Sequence, residues 1–186
     1  MPTAHHPPAE HRLRVVLPDE PVERIEPLEH VEHVEDGEPT GSGQLPARLI
    51  VLPWFDPGLA LRGVDPRSEY VERYWTGVIG PSAVLLLRRL ARGLAEHPAG
   101  YSLAPADTAR AIGLSGGRGR NSAMARTIDR CRLFGLVRWP EPEQLEVRTH
   151  LPLLSTRQLR RLPLAVRSSH EAWLAERRSS DTPPAA

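Results

Sequence analysis

The spacing of apolar residues predicts two consecutive helices in the middle of the chain. Residues 68–78 and 82–97 carry apolar side chains at i, i+3, i+4 and i+7, which is the period of an amphipathic helix. Ser68 is the expected N-cap of the first helix, because a serine hydroxyl can accept a hydrogen bond from the first turn. Gly80 and Pro81 interrupt the pattern between the two helices. We expect both helices to pack against a common core.

Shorter elements surround this pair of helices. The apolar run 47–55 predicts a buried strand bounded by Pro46 and Pro53, since proline cannot donate a hydrogen bond to a neighbouring strand. Ser155 is the expected N-cap of a last helix that restarts at Pro163. The other predicted elements, in chain order, are an extended segment at 101–103, a helix at 106–112, a glycine-rich connection at 114–120, a helix at 121–134, hairpin strands at 136–139 and 144–151, and the last helix to about residue 178.

The predicted helix 121–134 has two different sides. Either Asn121 or Ser122 is its expected N-cap. Its apolar residues recur at i, i+4, i+7 and i+10, which places them on one buried face. The inward residues are Met124, Ile128, Cys131 and Phe134, and the outward residues are Ser122, Ala125, Arg126, Asp129 and Arg130.

Charge is distributed very unevenly along a chain whose net charge is only +1. Residues 1–45 hold 10 acidic and 3 arginine side chains, a net charge of −7, whereas residues 81–139 hold 10 arginines and 3 acidic residues, a net charge of +7. The chain has no lysine, so its arginine content reflects a GC-rich genome and is weak evidence alone. Its segregation is stronger evidence, because a basic block in a neutral protein is typical of a surface that binds a polyanion.

Several function classes lack their sequence signals. No apolar run approaches the roughly 20 residues of a membrane helix, and the N-terminus lacks the apolar part of a secretory signal, so a cytoplasmic protein is expected. Cys131 is the single cysteine, which excludes an intrachain disulfide. His30 and His33 have metal-binding spacing beside Glu29 and Asp36, but a disordered polar tail is the favoured interpretation. No Walker loop, nucleophile elbow or scaffolded acid pair is found, so we expect no cofactor and no enzymatic activity.

The order of predicted elements from residue 81 resembles the winged helix-turn-helix superfamily. This order is helix, short strand, helix, turn, helix and hairpin. DTARAIGLS resembles its positioning helix and turn, and NSAMARTIDRCRLFGLVR its recognition helix leading into the wing. The upstream stretch DPRSEYVERYWTGVIGPSAVLLLRRL resembles uncharacterised proteins of GC-rich bacteria, which implies no function. The resemblance implies a mainly α fold with a small β-hairpin wing and flanking N- and C-terminal helices. The expected divisions are a disordered acidic tail at 1–44, a strand and helical extension at 45–80, the winged domain at 81–150, C-terminal helices at 151–178 and a disordered tail at 179–186.

The resemblance implies sequence-selective binding of double-stranded DNA by a small transcriptional or chromosome-associated regulator, located in the cytoplasm at the nucleoid. The recognition helix, about 121–134, would enter the major groove, where arginine can donate two hydrogen bonds to guanine. Arg118 and Arg120 flank the helix N-terminus, which favours a phosphate. Arg138 and Arg148 are on the expected wing strands, although the wing also carries three glutamates. The candidate DNA-binding residues are Arg118, Arg120, Asn121, Ser122, Arg126, Arg130, Arg138 and Arg148.

Several alternatives remain open at the level of sequence. A replication or excision factor of a phage or mobile element would also bind DNA, and the acidic tail is expected either to fold back on the basic face and compete with DNA or to recruit a partner. A winged helix can also be a protein-interaction adaptor without DNA binding, with the acidic tail or the flanking helices as its partner surface. The helix spacing of Tyr70, Tyr74, Trp75 and Trp173 favours core packing over base stacking. The apolar side of the last helix either closes the core or forms the seam of a homodimer.

Overall fold

The computed structural model describes residues 44–180. The tail predicted at 1–44 lies outside this range except for Gln44, as do His30, His33 and residues 181–186. The described strands are β1 (Leu49–Trp54), β2 (Tyr101–Leu103), β3 (Val137–Glu141) and β4 (Gln144–Arg148). The described helices are α1 (Pro57–Arg62), a π-helical turn (Val71–Trp75), α2 (Thr76–Ile79), α3 (Pro81–Glu96), α4 (Pro105–Ala111), α5 (Ala123–Leu133), α6 (Thr156–Leu159) and α7 (Leu164–Ser180).

The four strands form one mixed sheet in the order β2-β1-β4-β3. β3 and β4 are the predicted antiparallel hairpin, while β1 pairs antiparallel with β2 and parallel with β4. β1 belongs to the segment 45–80, whereas both of its neighbours belong to the segment 81–150. These two segments therefore share one sheet, and the described fold combines helices with a small mixed sheet.

The proline at position 53 does not end the strand, contrary to the expectation from the sequence. β1 continues through Pro53 to Trp54. Ile50 donates its backbone N–H to Glu143 O on the β4 side at 2.8 Å, so the nitrogen of Pro53, an odd number of residues away, is directed to the β2 side. β2 is paired only as far as Val51. The missing donor of Pro53 thus lies beyond the end of β2 and breaks no hydrogen bond.

Helix α3 lies at the centre of the core. Leu86, Leu87 and Leu90 have no exposed surface, and the helix contacts β1, β4 and α5. Gly93 allows close approach of β2, because a Cβ atom at this position would lie 2.3 Å from Cζ of Tyr101. The Tyr101 hydroxyl donates to the Leu90 carbonyl oxygen at 3.2 Å. The lack of a side chain at Gly93 therefore fixes β2 against α3.

The π-helical turn directs a group of aromatic side chains inward. Tyr70, Tyr74 and Trp75 are at most 2% exposed, which confirms that they belong to the core. Trp75 Nε1 donates to Pro152 O at 3.1 Å, and the Tyr74 hydroxyl donates to Ser169 O at 3.0 Å. These bonds attach the chain after the hairpin, and α7, to the core. Ser68 is not the expected cap, because its hydroxyl is buried without a hydrogen-bond partner among the described residues.

The last helix closes the core through His170, which is 1% exposed. The Tyr70 hydroxyl accepts the backbone N–H of Leu154 at 2.8 Å and lies 2.8 Å from His170 Nε2. Which of these two groups donates to the other depends on the tautomer of His170. Nδ1 is buried and has no partner among residues 44–180. Burial lowers the pKa of His170 below its ordinary value of 6.5.

We expect His170 to make the folding stability depend on pH. Because its pKa is lower in the folded state, the unfolded chain takes up a proton first as the pH falls below about 6.5. The free energy of unfolding should decrease from about pH 6.5 down to the folded-state pKa and show no His170 contribution above that window. Urea unfolding between pH 5 and 8, the range in which histidine ordinarily titrates, measures the free energy of unfolding of the wild type and of His170→Gln. Equal pH dependence of the two proteins would contradict the expectation.

No helix within residues 44–180 is long and apolar enough to cross a membrane. α7 ends at Ser180, two residues into the stretch predicted as a disordered tail. Leu162 and His170 are buried, and Trp173 packs against the same core. The apolar side of the last helix thus covers the core of its own chain.

Candidate nucleic-acid interface

The N-cap of helix α5 is one of the two residues that the sequence predicted. Ser122 is the N-cap, and its hydroxyl oxygen accepts the backbone N–H of Ala125 at 3.2 Å. Asn121 is exposed in the turn before the helix, and its side chain is not used as a cap. The cap satisfies one of the free N–H groups of the first turn, and the N-terminal end of α5 remains at the surface.

The two sides of α5 agree with the predicted pattern, with one correction. Met124, Ile128 and Cys131 are at most 1% exposed, and Phe134 packs edge-on against the Trp75 ring at 6.2 Å between centroids. Ala125 was expected outside but is only 7% exposed. It lies in the wall of a groove beside the hairpin. A small side chain between the two faces of a helix is readily covered by a neighbouring element, which explains its burial.

The long connection between α4 and α5 is held by backbone hydrogen bonds. Gly113, with a positive φ of 77°, ends α4, and Leu114 N donates to Ala109 O at 2.8 Å. Leu45 N donates to Arg118 O at 2.8 Å, so the start of the described chain is attached to this connection. The glycine-rich turn therefore has a defined path that presents its arginine side chains beside the N-terminus of α5.

Four arginines around α5 have no carboxylate partner among residues 44–180: Arg118, Arg120, Arg126 and Arg130, here called the α5 arginines. All four are exposed. Other arginines of the same region are neutralised, Arg110 by Asp107 and Arg132 by Asp129. The structure therefore concentrates uncompensated positive charge at the turn and the outward face of α5.

Two of the α5 arginines make hydrogen bonds to backbone carbonyl groups. Arg126 donates to the carbonyl oxygen of Asn121, and Arg130 Nη2 donates to Val78 O at 3.0 Å, near the C-terminus of α2. A carbonyl does not cancel the charge of a guanidinium, which keeps further N–H donors. Arg126 and Arg130 are four residues apart and hence adjacent on one helix face.

The two candidate residues of the hairpin are placed elsewhere. Arg148 Cζ lies 3.7 Å and Arg138 Cζ lies 4.4 Å from the centroid of the Trp54 ring. Arg138 also pairs with Glu146, and Arg148 pairs with Asp56 at 2.8 Å. These side chains occupy the sheet face opposite to the buried face that carries Leu145 and Val147. The structure does not bring Arg138 and Arg148 together with the α5 arginines.

Arg148 connects three parts of the chain. Its Nε donates to Gly135 O at 2.7 Å, and its Nη1 donates to Asp56. The Arg148 hydrogen bond lowers the pKa of Asp56, with help from the backbone N–H of Leu59. Asp56 is also the N-cap of α1. The Asp-Pro pair at the start of α1 is a helix-start signal that could have indicated this cap, but nothing local indicated its partner 92 residues away.

A groove of about 450 Å³ lies beside Arg120, while Arg126 and Arg130 line a different pocket on the other side of α5. The groove is lined by α5, by the hairpin and by the chain from Gln44 to Pro46. Most of its surface is apolar, with Trp139 and Ile128 among its lining residues, and Arg120 supplies a cation. The sequence did not indicate this groove, because its walls come together only in the folded chain.

Cys131 is a structural residue. It has no exposed surface, and burial raises the pKa of its thiol to about 12. A thiol that stays protonated at neutral pH is a poor nucleophile and metal ligand. The side chain therefore acts as a small apolar group in the contact of α5 with α3.

Comparisons of the chain with protein-family models, curated proteins and solved structures found no match.

Proposed function

We propose that this protein binds duplex DNA in the manner of a winged helix-turn-helix domain. In this proposal α4 and α5 are the helix-turn-helix, α5 is the recognition helix, and the β3–β4 hairpin is the wing. α5 is exposed along one face and packs on α3 and α4 through the other. A helix held in this way can enter the major groove, with its N-terminal turns at the base edges.

The observation that supports DNA best is the uncompensated charge of the α5 arginines. Arg118 and Arg120 precede the helix, where they would contact phosphates and position the protein. Arg126 is on the first outward turn and is the strongest candidate for a guanine contact, with Ser122 beside it on the same helix end. Arg130 would contact a base or the adjacent backbone from the next turn.

The hairpin is assigned a smaller role than the sequence implied. Arg138 and Arg148 are held by carboxylates and by the Trp54 ring, and Glu141 and Glu143 are exposed at the tip. Moving either arginine to a phosphate would break its ion pair. The carboxylate left behind, Glu146 or Asp56, would then repel the DNA backbone. We therefore propose that the wing supports α5 and does not enter the minor groove.

Fluorescence anisotropy with labelled fragments of genomic DNA tests the proposal. We expect binding at low salt, and a slope of log affinity against log salt of about −4 if four arginines each release one phosphate counterion. Selection of bound fragments would then show whether a sequence is preferred. Absence of a complex at low salt, with protein shown to be folded by circular dichroism, would refute the proposed function.

A protein-interaction adaptor is the second candidate. Leu133 is 81% exposed on α5, seven residues after Arg126 and so on the same side of the helix, which is an unusual neighbour for a DNA-facing arginine. The glutamates at the tip of the hairpin add negative charge, opposite in sign to the α5 arginines, and such polar residues are typical of the rim of a protein interface. A stable partner recovered by affinity purification after nuclease treatment, and lost on Leu133→Asp, would favour this function over DNA binding.

A further inference from the structure

The sequence before the described residues contains a repeat with a period of three. An aliphatic residue followed by glutamate occurs five times between residues 22 and 35. Pro27 lies within the repeat and disfavours a helix. In an extended chain with three residues per turn, residues three apart lie on the same edge. The aliphatic edge consists of Val22, Ile25, Leu28, Val31 and Val34, and the acidic edge of Glu23, Glu26, Glu29, Glu32 and Glu35.

The structure shows where the chain that follows this repeat enters the fold. Gln44, Leu45 and Pro46 line the groove between α5 and the hairpin. The hydrogen bond from Leu45 N to Arg118 O fixes this entry point beside the glycine-rich turn that carries Arg118 and Arg120. The repeat is consequently tethered at an apolar groove that has Arg120 in its lining.

We propose that the segment 22–35 docks in this groove as an extended chain, with its aliphatic edge on the groove floor and its glutamates toward solvent and Arg120. Grooves that receive chains of this conformation are lined by aromatic side chains, and Trp139 lines this groove together with Pro140 and Pro142. Three consecutive aliphatic positions span about 19 Å in this conformation, so two or three of the five occupy the groove at one time.

The length of the intervening chain is compatible with docking. The eight residues 36–43 between the repeat and Gln44 span up to about 26–29 Å, enough for the chain to reverse and return to the groove. Three charged residues line the groove: Asp129 pairs with Arg132, Glu141 keeps its charge while it accepts a hydrogen bond from neutral Gln144, and Arg120 has no carboxylate partner among residues 44–180. The aliphatic edge and the tether, and not the net charge of the groove, therefore favour docking. A tether of this length also raises the local concentration of the segment.

Docking has a consequence that rests on the proposed function. A chain carrying five glutamates beside Arg120 and the N-terminal part of α5 would repel DNA phosphates and occupy part of the surface that DNA requires. The N-terminal segment is therefore an intramolecular competitor, and DNA must displace it. Because this cost is the same for every DNA sequence, it lowers the affinity for cognate and non-cognate sites by the same factor.

Fluorine NMR of the full chain labelled with fluorotryptophan tests the docking itself. The signal of Trp139 is assigned with Trp139→Phe, and the variant Ile25→Ser/Leu28→Ser/Val31→Ser removes the aliphatic edge. We expect the Trp139 signal to move and those of Trp54, Trp75 and Trp173 to stay. The control Leu13→Ser/Val15→Ser/Val16→Ser makes a similar change outside the repeat and should leave Trp139 unmoved. An unmoved Trp139 signal in the first variant, or equal movement in both, overturns the docking.

DNA titration tests the competition. The repeat glutamates are replaced by glutamine in one full-length variant. The other five acids of the tail, at positions 10, 19, 20, 36 and 38, are replaced by their amides in the matched control. We expect the first variant to bind DNA about tenfold more tightly at low salt, where charge competition is strongest. The affinity of the control for DNA should change much less. Equal gains refute directed competition. If no variant binds DNA, the proposed function fails while the Trp139 result still decides the docking.

Discussion

Replacing all four α5 arginines with glutamine is expected to weaken the complex with duplex DNA by about 1,000-fold, if each side chain contributes about 1 kcal/mol. The four side chains are exposed and lack carboxylate partners among residues 44–180, so their positive charge is available to phosphates. The slope of log affinity against log salt should decrease in magnitude by up to about 4. Fluorescence anisotropy at several salt concentrations measures both quantities.

A charge-matched control separates a local site from general attraction. Arg92, Arg157, Arg160 and Arg161 are exposed arginines away from α5 without a carboxylate partner in the described part of the chain. Their replacement by glutamine changes the net charge equally and should reduce affinity far less. Similar losses in the two variants would show that DNA is held by overall charge, and the assignment of α5 as the recognition helix would be wrong. Unfolding midpoints near the wild-type value would show that both variants are folded.

Replacing Trp75 with alanine is expected to lower the free energy of unfolding by about 3–5 kcal/mol, the usual cost of removing a fully buried large aromatic side chain. Trp75 is 1% exposed and contacts the Phe134 ring at the end of α5. Its removal leaves a cavity and also leaves the Pro152 carbonyl without the indole donor. Such a loss is a large fraction of the 5–15 kcal/mol that stabilises a typical domain.

Urea unfolding with both Trp75→Ala and Trp75→Phe tests this expectation. The phenylalanine variant keeps much of the packing and removes the hydrogen bond, so its loss should be smaller and it provides a folded protein if the alanine variant does not fold. Trp173→Ala is the matched control, because Trp173 is only partly buried. A cost at position 75 no larger than the cost at position 173 would contradict the central place assigned to Trp75.

The elements that the sequence predicted are those with local signals. Proline starts α3 and α4, and glycines with positive φ follow the ends of α4 and α5, so the boundaries of these helices are encoded within a few residues. The alternation of β3 and β4 and the capping box at Ser155 are equally local. For such elements propensity and tertiary packing agree, and sequence reasoning is accurate.

The features that the sequence did not predict depend on contacts between distant residues. Nothing near Leu49 indicates that β1 inserts between β2 and β4, since strand pairing is chosen by the whole core. Arg148 has the same local appearance as Arg126, yet one is held by Asp56 and Trp54 and the other faces solvent. The candidate DNA contacts were chosen from the sequence by charge and position. In the structure those around α5 lie at the surface, whereas the two arginines of the hairpin are held by carboxylates and by the Trp54 ring.

The insertion of β1 between β2 and β4 has a consequence for synthesis on the ribosome. β1 is made before both of its partner strands, and the residues that pair with its β4 edge, such as Leu145 opposite Val51, are made more than ninety positions later along the printed sequence. At about 5–20 residues per second the nascent strand waits roughly 5–20 seconds with unpaired N–H and C=O groups along that edge. A nascent chain interrupted before the hairpin emerges would thus expose a strand ready to pair with another polypeptide, so the window before residue 144 is when this protein most needs a chaperone.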